Sequence, residues 1–147
     1  MGATVSSNTS LDIARQQQSK ADDQKAREQK ETTYREYLDA AVGYRAAASD
    51  LFARTAPSDV SGAFSAFMTA RSRFQKQANE VYVYGSDDAW KAHVDVAGTL
   101  PPALSDAPLN FKASDLSNET AFTAAYQEFL AVRCREVAAK ARTGCGG

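Results

Sequence analysis

The residue in this sequence best suited to general acid–base chemistry is its only histidine, His93, because an imidazole titrates near neutrality. It shares a helical face with Trp90 and Ala97, which reads as a packed position rather than a catalytic one. Asp87 and Asp88, with Glu80 upstream, are the residues that could approach a divalent cation. Neighbouring helical positions point about 100° apart, so the two aspartates do not converge on one ion, and capping of a helix start explains them better. Ser86 follows Gly85, yet Tyr-Gly-Ser-Asp-Asp is not the G-x-S-x-G of a serine hydrolase. Arg45, Arg71 and Arg133 each sit on or beside an apolar stripe. Together they could grip an anion or a partner carboxylate; singly, each would lay its stem on apolar surface and its guanidinium in water. Cys134 and Cys145 form no CxxC pair, and a zinc site needs about four ligands. With no export signal both are expected as free thiols, Cys134 buried and inert, Cys145 more exposed and reactive. No catalytic, cofactor-binding or metal-ligating residue is assigned.

The elements that would position these groups read as helices. From Tyr34 the apolar residues Tyr37, Leu38, Ala41, Ala48, Leu51 and Phe52 recur at steps of three and four, as one helix face does. Pro57 ends that helix near Arg54-Thr55. Ser58 or Asp59 is expected to cap a second helix, with Val60, Ala63, Phe64, Phe67, Phe74, Ala78, Val81 and Tyr82 as its stripe. Val81-Tyr82-Val83-Tyr84 resembles a strand in isolation, but it has no partner strand, so the helical phase is expected to win. Gly85 is expected as a left-handed C-cap, and Ser86 as the N-cap of a short third helix that Gly98 and Pro101-Pro102 terminate. Residues 99–117 are a connection whose Leu100, Leu104, Leu109, Phe111 and Leu116 are expected to pack across the other helices. The last helix begins near Ser117 and carries Phe122, Ala125, Tyr126, Phe129, Leu130, Arg133 and Val137; Gly144 ends it. The expected fold is all-α: an antiparallel four-helix bundle with a long first helix extending N-terminally and a short third helix. Its core is expected from Leu38, Leu51, Phe64, Phe67, Phe74, Trp90, Phe122, Phe129 and Val137, with the six tyrosines at its edge.

Upstream of the bundle the composition changes. Residues 1–13 are small and polar and are expected to be disordered or frayed. Residues 14–33 hold nothing apolar larger than alanine, yet they are rich in helix formers and place Asp23 and Arg27, and Glu31 and Arg35, four apart. They form a polar helical extension with no coiled-coil seam. The bundle domain then covers 34–143, and 144–147 is a flexible tail.

Composition removes several function classes. The net charge of −1 over 147 residues gives no basic footprint for nucleic acid, so none is expected as a partner. No apolar run reaches the ~18 residues of a membrane span. The Met1-Gly2 start with Ser6 fits the loose N-myristoylation pattern, which leaves membrane association open. The expected location is cytoplasmic, with no cofactor.

The charged lead-in, the segment Tyr34-Arg35-Glu36-Tyr37-Leu38-Asp39-Ala40, the aromatic run ending in Gly85-Ser86-Asp87, and Tyr126-Gln127-Glu128-Phe129-Leu130 form a recurring order. In it the chain resembles small uncharacterised helical-bundle proteins of actinobacteria and their phages over roughly residues 15–140. Many of those carry a membrane-spanning helix before the charged segment, which Met1–Ile13 lacks. The resemblance implies a helical fold and no particular activity. The functional expectation is a non-enzymatic interaction or scaffold module that meets a protein partner, or a second copy, through residues 14–33. The alternatives are a ligand-binding or enzymatic bundle using inter-helix Arg, Tyr and His93, and a membrane-associated accessory protein. Convergence of Arg45, Arg71, Arg133 and His93 on one pocket would favour the ligand-binding or enzymatic bundle.

Overall fold

A computed structural model describes residues 2–53, 57–101 and 119–137, with side chains described for 10–53, 60–101 and 119–137. The described residues are all-α and contain no strand. Four helices account for nearly all of them: α1, Gly2–Ala53; α2, Pro57–Tyr84; α3, Asp87–Ala97; and α4, Glu119–Val137. Their contacts fit a bundle in which α1 packs mainly on α2 and also on α4, while α3 packs mainly on α4.

The starts and stops of these helices depart from expectation in ways the chemistry explains. Helical geometry continues from Tyr34 back to Gly2, through the stretch expected to be frayed. The core-packed half of α1 meets the cost of nucleation, and the Gln-, Lys- and Ala-rich upstream sequence propagates the helix. Pro57 is the first residue of α2, so Ser58 and Asp59 lie inside its first turn instead of capping it. Proline suits that position because its fixed φ is helical and its missing N–H would have no intrahelical acceptor. Val81-Tyr82-Val83-Tyr84 is helical.

Gly85 is not left-handed. Its N–H donates to the Val81 carbonyl at 2.8 Å, which continues the helical bond pattern. Glycine is needed there for space: a Cβ would stand 2.5 Å from the Val81 carbonyl oxygen and 3.2 Å from Cε1 of Tyr34. Ser86 then caps α3 as expected, with φ −90° and ψ 171°, its Oγ accepting the Ala89 N–H at 3.1 Å. Asp87 and Asp88 occupy the first turn, where their charge complements the helix dipole. Gly98 follows α3 in right-handed geometry.

The core is aromatic and centred on α1. Tyr34, Tyr37 and Tyr44 are fully buried, not at the edge. Tyr37 stacks on Phe129 of α4 at 4.4 Å and tilts against Phe74 of α2 at 5.6 Å. Tyr34 meets Phe129 edge-on at 5.3 Å, and Tyr44 contacts both Phe74 and Phe67 at 5.4 Å. Phe52 approaches Phe67 at 6.5 Å. Leu38, Phe67, Phe74 and Phe129 are buried as expected, while Leu51, Trp90, Phe122 and Val137 pack partly buried against them. Phe64 is a correction: it is 48% exposed, because Ala63 takes the inward position and the next residue points about 100° away. Of the connection expected to pack across the helices, Leu100 and Pro101 are buried. Leu104, Leu109, Phe111, Leu116 and Ser117 lie outside the described residues, as do Gly144 and Cys145.

Urea denaturation separates the two phenylalanine environments. Phe67→Ala or Phe129→Ala is expected to lose about 3–5 kcal/mol, and Phe64→Ala less than about 1 kcal/mol. Equal losses at positions 64 and 67 would contradict the burial pattern. Gly85→Ala is expected to lose about 1–3 kcal/mol through overpacking against Val81 and Tyr34, with φ playing no part.

Candidate functional site

Two polar clusters and one exposed helix hold the groups that could act. The first cluster is buried. Tyr37 Oη and His93 Nδ1 lie 2.8 Å apart in a hydrogen bond between α1 and α3. His93 is 4% exposed and is closed in by Trp90 at 4.7 Å, Tyr37 at 5.4 Å and Phe74 at 5.8 Å between ring centroids. That setting penalises the charged imidazolium, so burial pushes the His93 pKa down to about 4. Burial also drives the Tyr37 phenol up, and both groups are neutral at physiological pH. The arrangement is a structural hydrogen bond: almost none of the imidazole is open to a substrate.

The second cluster fastens α1 to α4 and to the α2–α3 junction. Glu136 receives the Tyr34 hydroxyl at 2.7 Å on Oε1 and the Ser86 hydroxyl at 2.6 Å on Oε2. The Ser86 N–H donates to Tyr34 Oη at 3.2 Å, closing a three-membered circuit. Lys30 Nζ stands 3.5 Å from the same carboxylate. Burial first, and then the Glu136 hydrogen bond, raise the Tyr34 phenol to about 12. One turn back along α4, Arg133 clasps Glu31 with Nη2 at 2.5 Å and Nε at 3.3 Å. That bidentate contact is what raises the Arg133 guanidinium further and fixes the direction in which α1 leaves the bundle.

Upstream of the clasp the described side chains of α1 stand in solvent. Every residue from 10 to 29 is exposed, whereas Lys30, Glu31 and Thr32 are half-buried and Thr33 is buried. The unbroken exposure therefore ends at residue 29. Its side-chain bonds include Gln18 to Asp22 at 3.1 Å and Gln24 to Glu28 at 3.2 Å, both four apart on one face. Glu31, four residues before Arg35, pairs with Arg133 of α4.

The groups singled out from sequence have separate partners. His93 meets Tyr37, Arg133 meets Glu31, and the Arg45 guanidinium lies 5.0 Å over the Phe122 ring. Arg71 acts electrostatically on Tyr44, opposing the rise to about 12 that burial gives this phenol. Among the described residues no group of three or more His, Cys, Asp or Glu is arranged to hold a metal ion. Cys134 is a correction: it is disulfide-bonded and half-buried, neither free nor buried away. The only other cysteine in the sequence, Cys145, lies outside the described residues.

Sequence reasoning does not single out Glu136 or Lys30, and it reads Tyr34 as a stripe residue without a polar partner. One faint signal existed: Arg133 and Glu136 are three apart on α4, as a pair of opposite charge on one face, and Lys30-Glu31 offers the complementary pair. Comparison with known proteins adds no family: no protein-family model, curated protein or solved structure matches the chain.

The buried histidine makes stability pH-dependent with a definite sign. Its pKa is about 4 when folded and near 6.5 when unfolded, so between those values the unfolded chain binds more protons. Its contribution is complete above about 6.5 and is lost as pH falls toward 4, by at most about 3 kcal/mol. His93→Gln keeps a polar group facing Tyr37 but cannot titrate. The gap between native and variant unfolding free energies is expected to change across that window. A gap independent of pH from 7 to 4 would contradict the buried neutral imidazole.

Proposed function

We propose that this chain is a non-enzymatic helical interaction module in which an antiparallel four-helix bundle holds the upstream part of α1 out as a docking arm. The observation that carries the reading is the unbroken exposure of residues 10–29 directly beside the clasp at Lys30 and Glu31. A helix that buries nothing of its own gains little from the bundle, and exposed ion pairs add only ~0.3–0.5 kcal/mol each. At about 1.5 Å per residue, 2–29 would reach about 40 Å from the bundle. The order of ring contacts, from Tyr37 with Phe74 to Phe52 with Phe67, supports antiparallel packing of α1 on α2. The separate partners of His93, Arg45 and Arg133 favour interaction over catalysis.

A protein partner, or a second copy of the chain, is the occupant this arm suits; the near-zero net charge argues against nucleic acid. No helix among the described residues is long and apolar enough to cross a membrane. The disulfide at Cys134 favours an oxidising compartment over the cytoplasm, since reducing conditions keep thiols free.

Removal of residues 1–29 is the direct test. The melting temperature is expected to stay within about 2–4 °C of the full chain, the shift that under about 1 kcal/mol produces. Self-association followed by sedimentation, or capture of a purified partner, is expected to be lost. A large fall in melting temperature would mean that the segment packs on the bundle, and the docking-arm reading would fail.

A further inference from the structure

We propose that the outer face of the α2–α3 elbow, formed by Tyr82, Trp90 and Val94, docks a partner helix that carries large apolar side chains beside lysines or arginines. This surface is separate from the α1 extension and does not rest on the docking-arm reading.

The face is apolar, contiguous and open. Tyr82 is 73% exposed and Val94 53%, and the Tyr82 ring meets Trp90 edge-on at 5.3 Å. Trp90 and Val94 are one turn apart on the same side of α3. Beneath them the buried side of α3, with Ala89, Ala92, His93 and Val96, fixes the orientation, and Trp90 rests on the His93 ring at 4.7 Å. Large side chains left in water together, with backbone held rigid under them, are what interaction surfaces present.

Charge decides the occupant. The solvent side of α3 carries Asp87, Asp88 and Asp95 against a single lysine, Lys91. On α4 the Glu128 carboxyl faces Asp95, whose proximity raises its pKa even though Lys91 and Arg135 pull the other way. Asp87, Asp88, Asp95 and Glu128 against Lys91 and Arg135 leave this rim more negative than its own cations offset. A lysine or arginine presented by a partner would relieve it. The same rim disfavours anionic lipid and disfavours a two-fold contact with a second copy, in which this acidic face would meet itself.

Trp90 is the only tryptophan, so its emission reports on this face alone. The probe is a synthetic amphipathic helical peptide of leucine and lysine, titrated into the full chain, with an isosteric leucine–glutamate peptide and phosphatidylglycerol vesicles run alongside. The lysine peptide is expected to shift Trp90 emission to the blue and to saturate, while the glutamate peptide and the vesicles leave it unchanged. Val94→Asp, and separately Asp87→Asn with Asp95→Asn and Glu128→Gln, are expected to weaken the lysine peptide at least about tenfold. Circular-dichroism melts confirm that each variant is folded, and Tyr82→Ser serves as the apolar test if Val94→Asp is not. Four results would overturn the proposal: no shift with the lysine peptide, equal binding of both peptides, a shift with vesicles, or a chain already dimeric through this face by light scattering. Binding that survives both sets of substitutions would overturn it as well.

Discussion

Three buried phenols on one helix hold this fold together. Tyr34, Tyr37 and Tyr44 lie on a single face of α1 at steps of three and seven, and each is fully buried. A buried hydroxyl without a partner costs about 1–3 kcal/mol, so each must find one. Each finds it on a different part of the chain: Tyr34 on Glu136 of α4, Tyr37 on His93 of α3, and Tyr44 on the Pro101 carbonyl after α3, at 3.0 Å. The rings supply apolar area and stacking against Phe129, Phe74 and Phe67, and the hydroxyls supply position. Leucines in those places would pack as well but would not specify which element sits where.

The same requirement explains the secondary features. Tyr34 can reach Glu136 only because Gly85 has no Cβ to occupy the space beside its ring. Ser86 has two tasks, capping α3 through Ala89 and donating to Glu136, so the start of α3 is tied to α4 through one hydroxyl. His93 is neutral because its burial penalises the charged imidazolium, and its bond to Tyr37 holds the ring in place. Upstream of Tyr34, Lys30 and Glu31 tie α1 to Glu136 and Arg133 of α4, and among the described residues those from 10 to 29 are exposed.

Periodicity and capping rules carried much of this into view from sequence alone. The helical reading of residues 81–84, the Ser86 cap and the buried phenylalanines at 67, 74 and 129 all followed from step lengths and side-chain chemistry. The burial of the tyrosines is not legible because a hydroxyl reads as polar until its partner is known, and those partners are 56 to 102 residues away in sequence. Gly85 was assigned to φ because left-handed caps are the commonest use of glycine at a helix end, whereas here it is proximity to Tyr34 that requires it. Phe64 was misplaced by one position because an alanine took the inward site. The state of Cys134 was not legible, since no spacing rule relates a lone pair of cysteines to the compartment that oxidises them.

Hydrogen–deuterium exchange along α1 tests the central account most directly, because all of its amides belong to one helix and differ only in what lies around them. Amides from Tyr34 through Ala48, held by the three tyrosines, are expected to exchange only through global opening, and those from 10 to 29 to exchange orders of magnitude faster, with the break near Lys30. Tyr37→Phe should weaken protection downstream of that break without altering the upstream rates. Uniform protection across residues 10–48 would show that α1 is supported along its whole length, and would contradict an account in which the tyrosine seam alone anchors it.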